Sequence, residues 1–228
     1  DGVRLVIEGL VGDYAWGKTT YDTLRGGDRA TFRMDGLEFY VNDERVSVSF
    51  DFKYEYLDPC WIVTDITSKL KEGMNEVKMV CKTRNHGTYH VVTDPWRLIG
   101  DFKTEQKDGI PYLSKVGNSV ELKDLNKQGF TRYHGGFSYI KEWIVPPKFK
   151  GRKMILKVTD TTDCIEVRIN GELHDVMWYK WQSDITDALK PGKKNTIELV
   201  YYGIAQNMLQ TNTKPQGIMG NVKINIYR

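Results

Sequence analysis

Apolar and polar residues alternate with a period of two along much of this chain. Ile197, Leu199 and Tyr201 alternate with Thr196, Glu198 and Val200. Val46, Val48, Phe50 and Phe52 alternate with Ser47, Ser49 and Asp51, and Val222, Ile224 and Ile226 with Lys223, Asn225 and Tyr227. That spacing marks half-buried strands, because successive side chains of a strand point to opposite faces. Further strands are predicted at 3–10, 77–81, 119–122 and 137–145. Residues 154–159 and 165–169 are expected to pair across a turn at 160–163, and 30–34 with 37–41. Residues 95–102 read as a seam followed by a new first strand, and 105–112 as a turn-rich link. No helical period persists beyond a turn or two. Short strands with turns roughly every 8–12 residues predict an all-β chain of antiparallel sandwiches.

The pattern occurs twice. LEFYVNDERVS (37–47) matches IEVRINGELHD (165–175), and TDITSKLKEGMNEVKMVC (64–81) matches SDITDALKPGKKNTIELVY (183–201). Asn42-Asp43 stands where Asn170-Gly171 stands, an expected tight turn whose residues tolerate φ > 0. Asp65-Ile66-Thr67 pairs with Asp184-Ile185-Thr186, Leu70 with Leu189, Gly73 with Gly192 and, after a one-residue gap, Asn75 with Asn195. Gly17 and Tyr21 share the spacing of Gly135 and Tyr139. A repeat of this length predicts two copies of one domain, 1–94 and 95–228.

Composition narrows the function. At 228 residues the chain has room for two ordinary domains. Its 33 basic and 30 acidic residues leave a net charge of +3, spread evenly. That is no electrostatic footprint for nucleic acid. No apolar run approaches the ~20 residues of a membrane span. Cys60, Cys81 and Cys164 lack metal-type spacing and are expected as buried free thiols. The chain starts Asp1-Gly2, without initiator methionine or signal peptide, and reads as a processed or excised piece.

Candidate chemistry is sparse. A glycosidase needs two carboxylates flanking the scissile bond. The recurring Asp65 and Asp184 are instead explained as caps of a single helical turn. His86, His90, His134 and His174 lack ligand spacing, since the GTY between the first two argues against a helix. No nucleophile elbow, phosphate loop or dinucleotide fingerprint occurs. The aromatics are the better lead. Trp178, Tyr179 and Trp181 cluster between the Asn-Gly and Asp-Ile-Thr turns, and Tyr54, Tyr56 and Trp61 occupy the matching loop upstream. Flat aromatic faces suit the apolar C–H faces of pyranose rings. Trp61 and Trp181, just before the caps, suit the core equally well.

Gly135…Tyr139, Gly151-Arg152, Val167–Gly171, Asp184-Ile185-Thr186, Leu189…Gly192 and Asn195 together resemble the galactose-binding-domain-like jelly roll. Such modules form the sugar-binding domain of family 2 glycoside hydrolases and accessory domains of rhamnosidase-type enzymes. The resemblance covers about 95–228 well and 1–94 more loosely, and its motifs are turn and cap residues that specify a fold. It implies a tandem pair of antiparallel β-sandwich domains in a larger secreted, periplasmic or cell-surface glycoside hydrolase. Their role would be to bind oligo- or polysaccharide, or to scaffold the parent's catalytic domain. No cofactor is implied beyond a possible structural Ca²⁺, and no catalytic residue is assigned. Two other readings stay open: a glycan-active enzyme with unidentified carboxylates, and a surface protein-interaction module without sugar.

Overall fold

The computed structural model describes residues 2–8, 37–47, 61–81, 96–203, 205–209 and 212–227. The fold is all-β, in several antiparallel sheets, and the chain divides into two compact units, Asp1–Asp101 and Phe102–Arg228.

The first unit holds β1 (Val3–Glu8), β2 (Leu37–Val41), β3 (Glu44–Val46), β4 (Trp61–Asp65), β5 (Val77–Cys81) and β6 (Arg97–Gly100). They form two sheets, β4-β1-β6 and β3-β2-β5, antiparallel throughout. A strand that alternates in polarity leaves one apolar face, which must be covered. Leu5 from one sheet and Phe39, Val41 and Val46 from the other therefore meet Ile66 in one buried cluster. Trp96 packs edge-on against Phe39, ring centroids 5.9 Å apart.

The second unit opens with a hairpin, β7 (Phe102–Lys107) and β8 (Ile110–Lys115). There follow β9 (Gly136–Ile144), β10 (Met154–Val158), β11 (Ile165–Ile169), β12 (Glu172–Met177), β13 (Gln182–Asp184), β14 (Lys194–Tyr202), a short helix α1 (Ala205–Leu209) and β15 (Val222–Ile226). The sheets are β13-β10-β15 and β12-β11-β14-β9. Met154, Leu156 and Val158 face Ile165, Val167, Ile169, Ile197, Leu199 and Tyr201 across a single core, with Ile185 and Leu189 at its end. The hairpin is tied to the body at Gly129, whose carbonyl accepts from Thr104 N at 2.8 Å. Gly129 has φ 95, and a Cβ there would lie 2.7 Å from the Thr104 carbonyl oxygen. A side chain is excluded at that approach.

Strand for strand, β4-β1-β6 has the pairing order of β13-β10-β15, and β3-β2-β5 that of β12-β11-β14. The hydrogen bonds agree as well. Asn195 Oδ1 accepts from Lys190 N and Asn170 Nδ2, while its Nδ2 donates to the carbonyls of Lys190 and Lys193. Asn75 Oδ1 accepts from Lys71 N and Asn42 Nδ2, and its Nδ2 donates to the carbonyls of Lys71 and Gly73. Asn42 and Asn170 are both left-handed, at φ 50 and 54, and their side-chain oxygens accept from Glu76 N, just before β5, and from Thr196 N, near the start of β14.

Several segments differ from the sequence expectation. Arg97–Gly100, expected to begin the second copy, pairs with β1 in the first unit, as β15 pairs with β10 in the second. It is a closing strand. Residues 154–158 and 165–169 do not pair with each other; they lie in opposite sheets and face across the core. The link at 105–112 is a hairpin turning at Asp108-Gly109, with φ 53 and 78. Its alternation is weak because both faces are largely exposed. Residues 119–122 form no strand. Cys164 is free but exposed, not buried. Gly17, Tyr21, Cys60, His86 and His90, and the pairing expected for 30–34, lie outside the described residues.

Candidate functional site

β12 leaves the Asn170-Gly171 turn, runs back along β11 with a register shift at Val167/Arg168, and ends at buried Met177. The chain must then cross to β13, which belongs to the other sheet. Residues 178–181 make that crossing over the end of the core. Trp181 is half-buried and packs against the core, and its carbonyl accepts from Val158 N at 2.9 Å. Gln182 N donates to the Lys180 carbonyl at 2.7 Å, and Ser183 is buried. His174 Nε2 lies 2.7 Å from the Asp184 carbonyl oxygen, joining β12 to the far side of the crossing.

Only the middle of this loop protrudes. Trp178 and Tyr179 are 72% and 76% exposed, with ring centroids 6.2 Å apart and planes inclined by 49°. Lys180 beside them is exposed too. The structure thus brings Trp178 and Tyr179 together on the surface and turns Trp181 inward as their anchor. Tyr54 and Tyr56 lie outside the described residues. An exposed aromatic pair can stack on an apolar ring face.

The repeated aspartates have structural partners. Asp184 Oδ1 accepts from Thr186 N and Thr186 Oγ1, and that hydroxyl in turn accepts from Met154 N at 2.9 Å. Asp65 Oδ1 accepts from Thr67 N, and Thr67 Oγ1 accepts from Val3 N. Each Asp-Ile-Thr therefore locks a turn onto the first strand of its sheet. The turn is a short 3₁₀ segment, Thr67–Lys69, in the first unit and a plain turn in the second. The Thr186 hydroxyl and amide hold the Asp184 carboxyl below its ordinary range, with Lys153 adding to the effect. A depressed carboxylate contributes stability that is present at neutral pH and lost as pH falls through its folded value. Asp184→Ala is expected to lower the melting temperature modestly at pH 7 and by less at pH 3. A loss of any activity at an unaltered melting temperature would instead make Asp184 a functional carboxylate.

A second polar group carries no signal in the sequence. On the outer face of the four-stranded sheet, Arg168 donates to Glu166 Oε2 at 2.7 and 3.0 Å, and Tyr202 donates to Glu166 Oε1 at 3.1 Å. Ser138 donates to Glu198 Oε1 at 2.7 Å. The Arg168 guanidinium keeps the Glu166 carboxyl below its usual range. Glu166 and Arg168 share one face of β11, and strand register adds Glu198, opposite Arg168, and Ser138, opposite Val200. Among the described residues no three of His, Cys, Asp and Glu gather where they could hold a metal ion. Among them, too, no helix is long and apolar enough to cross a membrane.

No protein-family model matches the chain, and no curated protein matches it. Among solved structures it is similar to a rhamnosidase from Novosphingobium sp. PP1Y, with 17% identity and a TM-score of 0.41 over 83% of this chain and 20% of that one. It is also similar to a family 2 glycosyl hydrolase member from Bacteroides cellulosilyticus, at 18% identity and a TM-score of 0.34, over 40% of this chain and 12% of that one. A β-galactosidase described as putative, from Bacteroides fragilis, gives 25% identity and a TM-score of 0.33 over 40% of this chain and 15% of that one. The chain is thus similar to stretches of family 2 glycoside hydrolase and rhamnosidase structures, and it spans well under two thirds of the length of each.

Proposed function

We propose that this chain is a non-catalytic, carbohydrate-binding region of a larger secreted or periplasmic glycoside hydrolase. It would consist of two galactose-binding-like jelly-roll domains in tandem, joined in the parent protein to a catalytic domain. The matched strand orders and the matched Asn75 and Asn195 hydrogen bonds support two copies of one domain. The observation that carries the binding role is the exposed Trp178–Tyr179 pair on a loop held at both ends. Large aromatics left in water at a pinned loop tip add nothing to the core, and little ordering is lost when they bind. Trp181 anchors the platform from beneath. Tyr54 and Tyr56 would form the equivalent platform of the first copy.

A glycan array probed with the whole chain tests the reading. Binding is expected to be weak, since two rings and a few water-competed hydrogen bonds leave little surplus. Trp178→Ala should remove most of it while shifting stability by no more than about 0.5 kcal/mol, as for an exposed position. A cost of about 3–5 kcal/mol would instead mark Trp178 as core. Silence across the array, or turnover of aryl glycosides by the purified chain, overturns the reading. One observation favours a scaffolding role beside binding: Ile140, Ile144, Leu173 and Val176 are exposed on the outer face of the four-stranded sheet.

A further inference from the structure

One row across the outer face of the four-stranded sheet is complementary to its own reverse. Register sets Leu173 of β12 opposite Arg168 of β11, Arg168 opposite Glu198 of β14, and Glu198 opposite Ile140 of β9. Arg168 and Glu198 alternate with core residues along their strands, so both lie on the outer face. Leu173 and Ile140, at the two ends of the row, are 56% and 63% exposed. The order is apolar, base, acid, apolar. Laid over itself in reverse, the row sets apolar on apolar and each charge on its opposite. The matching row of the first unit is Arg45, Tyr40 and Lys78, with two cations and no acid. It has no such complement, so the property belongs to these residues and not to the fold.

A two-fold axis generates that reversal, because each residue that meets a second one is met by it in turn. With the axis parallel to the strands and between β11 and β14, β9 of one copy lies over β12 of the other. The two sheets then stack with their strands aligned, as in a β-sandwich. We propose that this face of the second unit is a contact between two copies of this chain. Arg168 of each copy meets Glu198 of the other, and Ile140 meets Leu173. The polar groups inside the face suit this pairing. Arg168 binds Glu166 through Nε and Nη2, which leaves Nη1 for a second acceptor. Glu198 accepts from the neutral Ser138 hydroxyl and gains a cation in the pair. Glu166 falls on Val200 of the second copy; it already has Arg168 and Tyr202 as donors and calls for none from outside. A contact centred on one row is small, so the association is weak and reversible.

Analytical ultracentrifugation of the whole chain, from micromolar to submillimolar concentration, tests this and should show a monomer–dimer equilibrium. Arg168→Glu sets acid against acid, and Glu198→Arg sets base against base. Each variant alone is expected to associate about tenfold more weakly or less still. Mixed in equal amounts, the two should recover association, because positions 168 and 198 then carry opposite charges at both crossings. A damaged fold cannot give that recovery. Ile140→Asp, at an exposed position, should keep the wild-type melting temperature and weaken association by about tenfold or more. It decides the matter if either charge variant fails to fold. A chain that stays monomeric at every concentration overturns the proposal. So does association that Ile140→Asp leaves intact, or a mixture of folded charge variants that associates no better than each alone.

Discussion

Asn195→Ala is expected to cost the second unit about 3–5 kcal/mol, the largest loss predicted for any single polar side chain here. Asn195 is fully buried. Its amide serves the N–H and carbonyl of Lys190, the carbonyl of Lys193 and the amide of Asn170. Alanine supplies none of these, and buried groups left without a partner cost about 1–3 kcal/mol each before water enters or the turn relaxes. Asn75→Ala removes the same set of bonds in the first unit, but Asn75 is only half-buried, so water can replace its partners and the loss should be smaller. Urea unfolding of both variants, followed by tryptophan fluorescence and circular dichroism, measures the difference. An Asn195→Ala midpoint close to wild type would show that these bonds contribute little to stability.

The second large effect is a loss of stability at alkaline pH through Tyr201. Its ring fills the core, and its hydroxyl donates to Asp163 Oδ2 at 3.1 Å with Thr162 Oγ1 at 3.2 Å. Burial pushes its pKa up to about 12; the Thr162 hydroxyl and the Gly217 backbone pull it part of the way back, and the Asp163 carboxylate adds to the rise. An unfolded tyrosine titrates near 10. The folded state therefore holds the proton more tightly, so this contribution is fully present below pH ~10 and is lost as pH rises toward ~12. At full size it amounts to about 2–3 kcal/mol. Tyr201→Phe should lower stability at pH 7 by about 1–3 kcal/mol, because Asp163 and Thr162 each lose a partner. It should also flatten the decline between pH 10 and 12 relative to wild type. Parallel slopes for the two proteins over that range would locate the alkaline sensitivity elsewhere.

The local devices of this fold are legible without any coordinates. Asn170-Gly171 announces a turn because both residues tolerate positive φ, and they adopt 54° and 88°. Asp108-Gly109 carries the same signal but reads in the sequence only as part of a link, because the strands beside it are exposed on both faces and alternate poorly. The Trp178 and Tyr179 cluster is visible as composition. That Trp181 meets the core is only half legible: its place just before the Asp-Ile-Thr turn suits the core as well as the loop, and the crossing between sheets decides between them.

Most strands, the turn residues and the internal correspondence of Asn75 with Asn195 and Asp65 with Asp184 follow from local sequence. They rest on backbone preferences that act over a few residues. Pairing partners come from the assembled fold instead. Residues 154–158 and 165–169 have the polarity to be neighbours, yet each completes a different sheet, since both apolar faces are buried only when the sheets oppose one another. Arg97–Gly100 closes the first unit rather than opening the second, because β1 has a free edge that this strand alone pairs among the described residues. Edge closure and face-to-face burial depend on residues far apart in the chain, and no short stretch of sequence carries them.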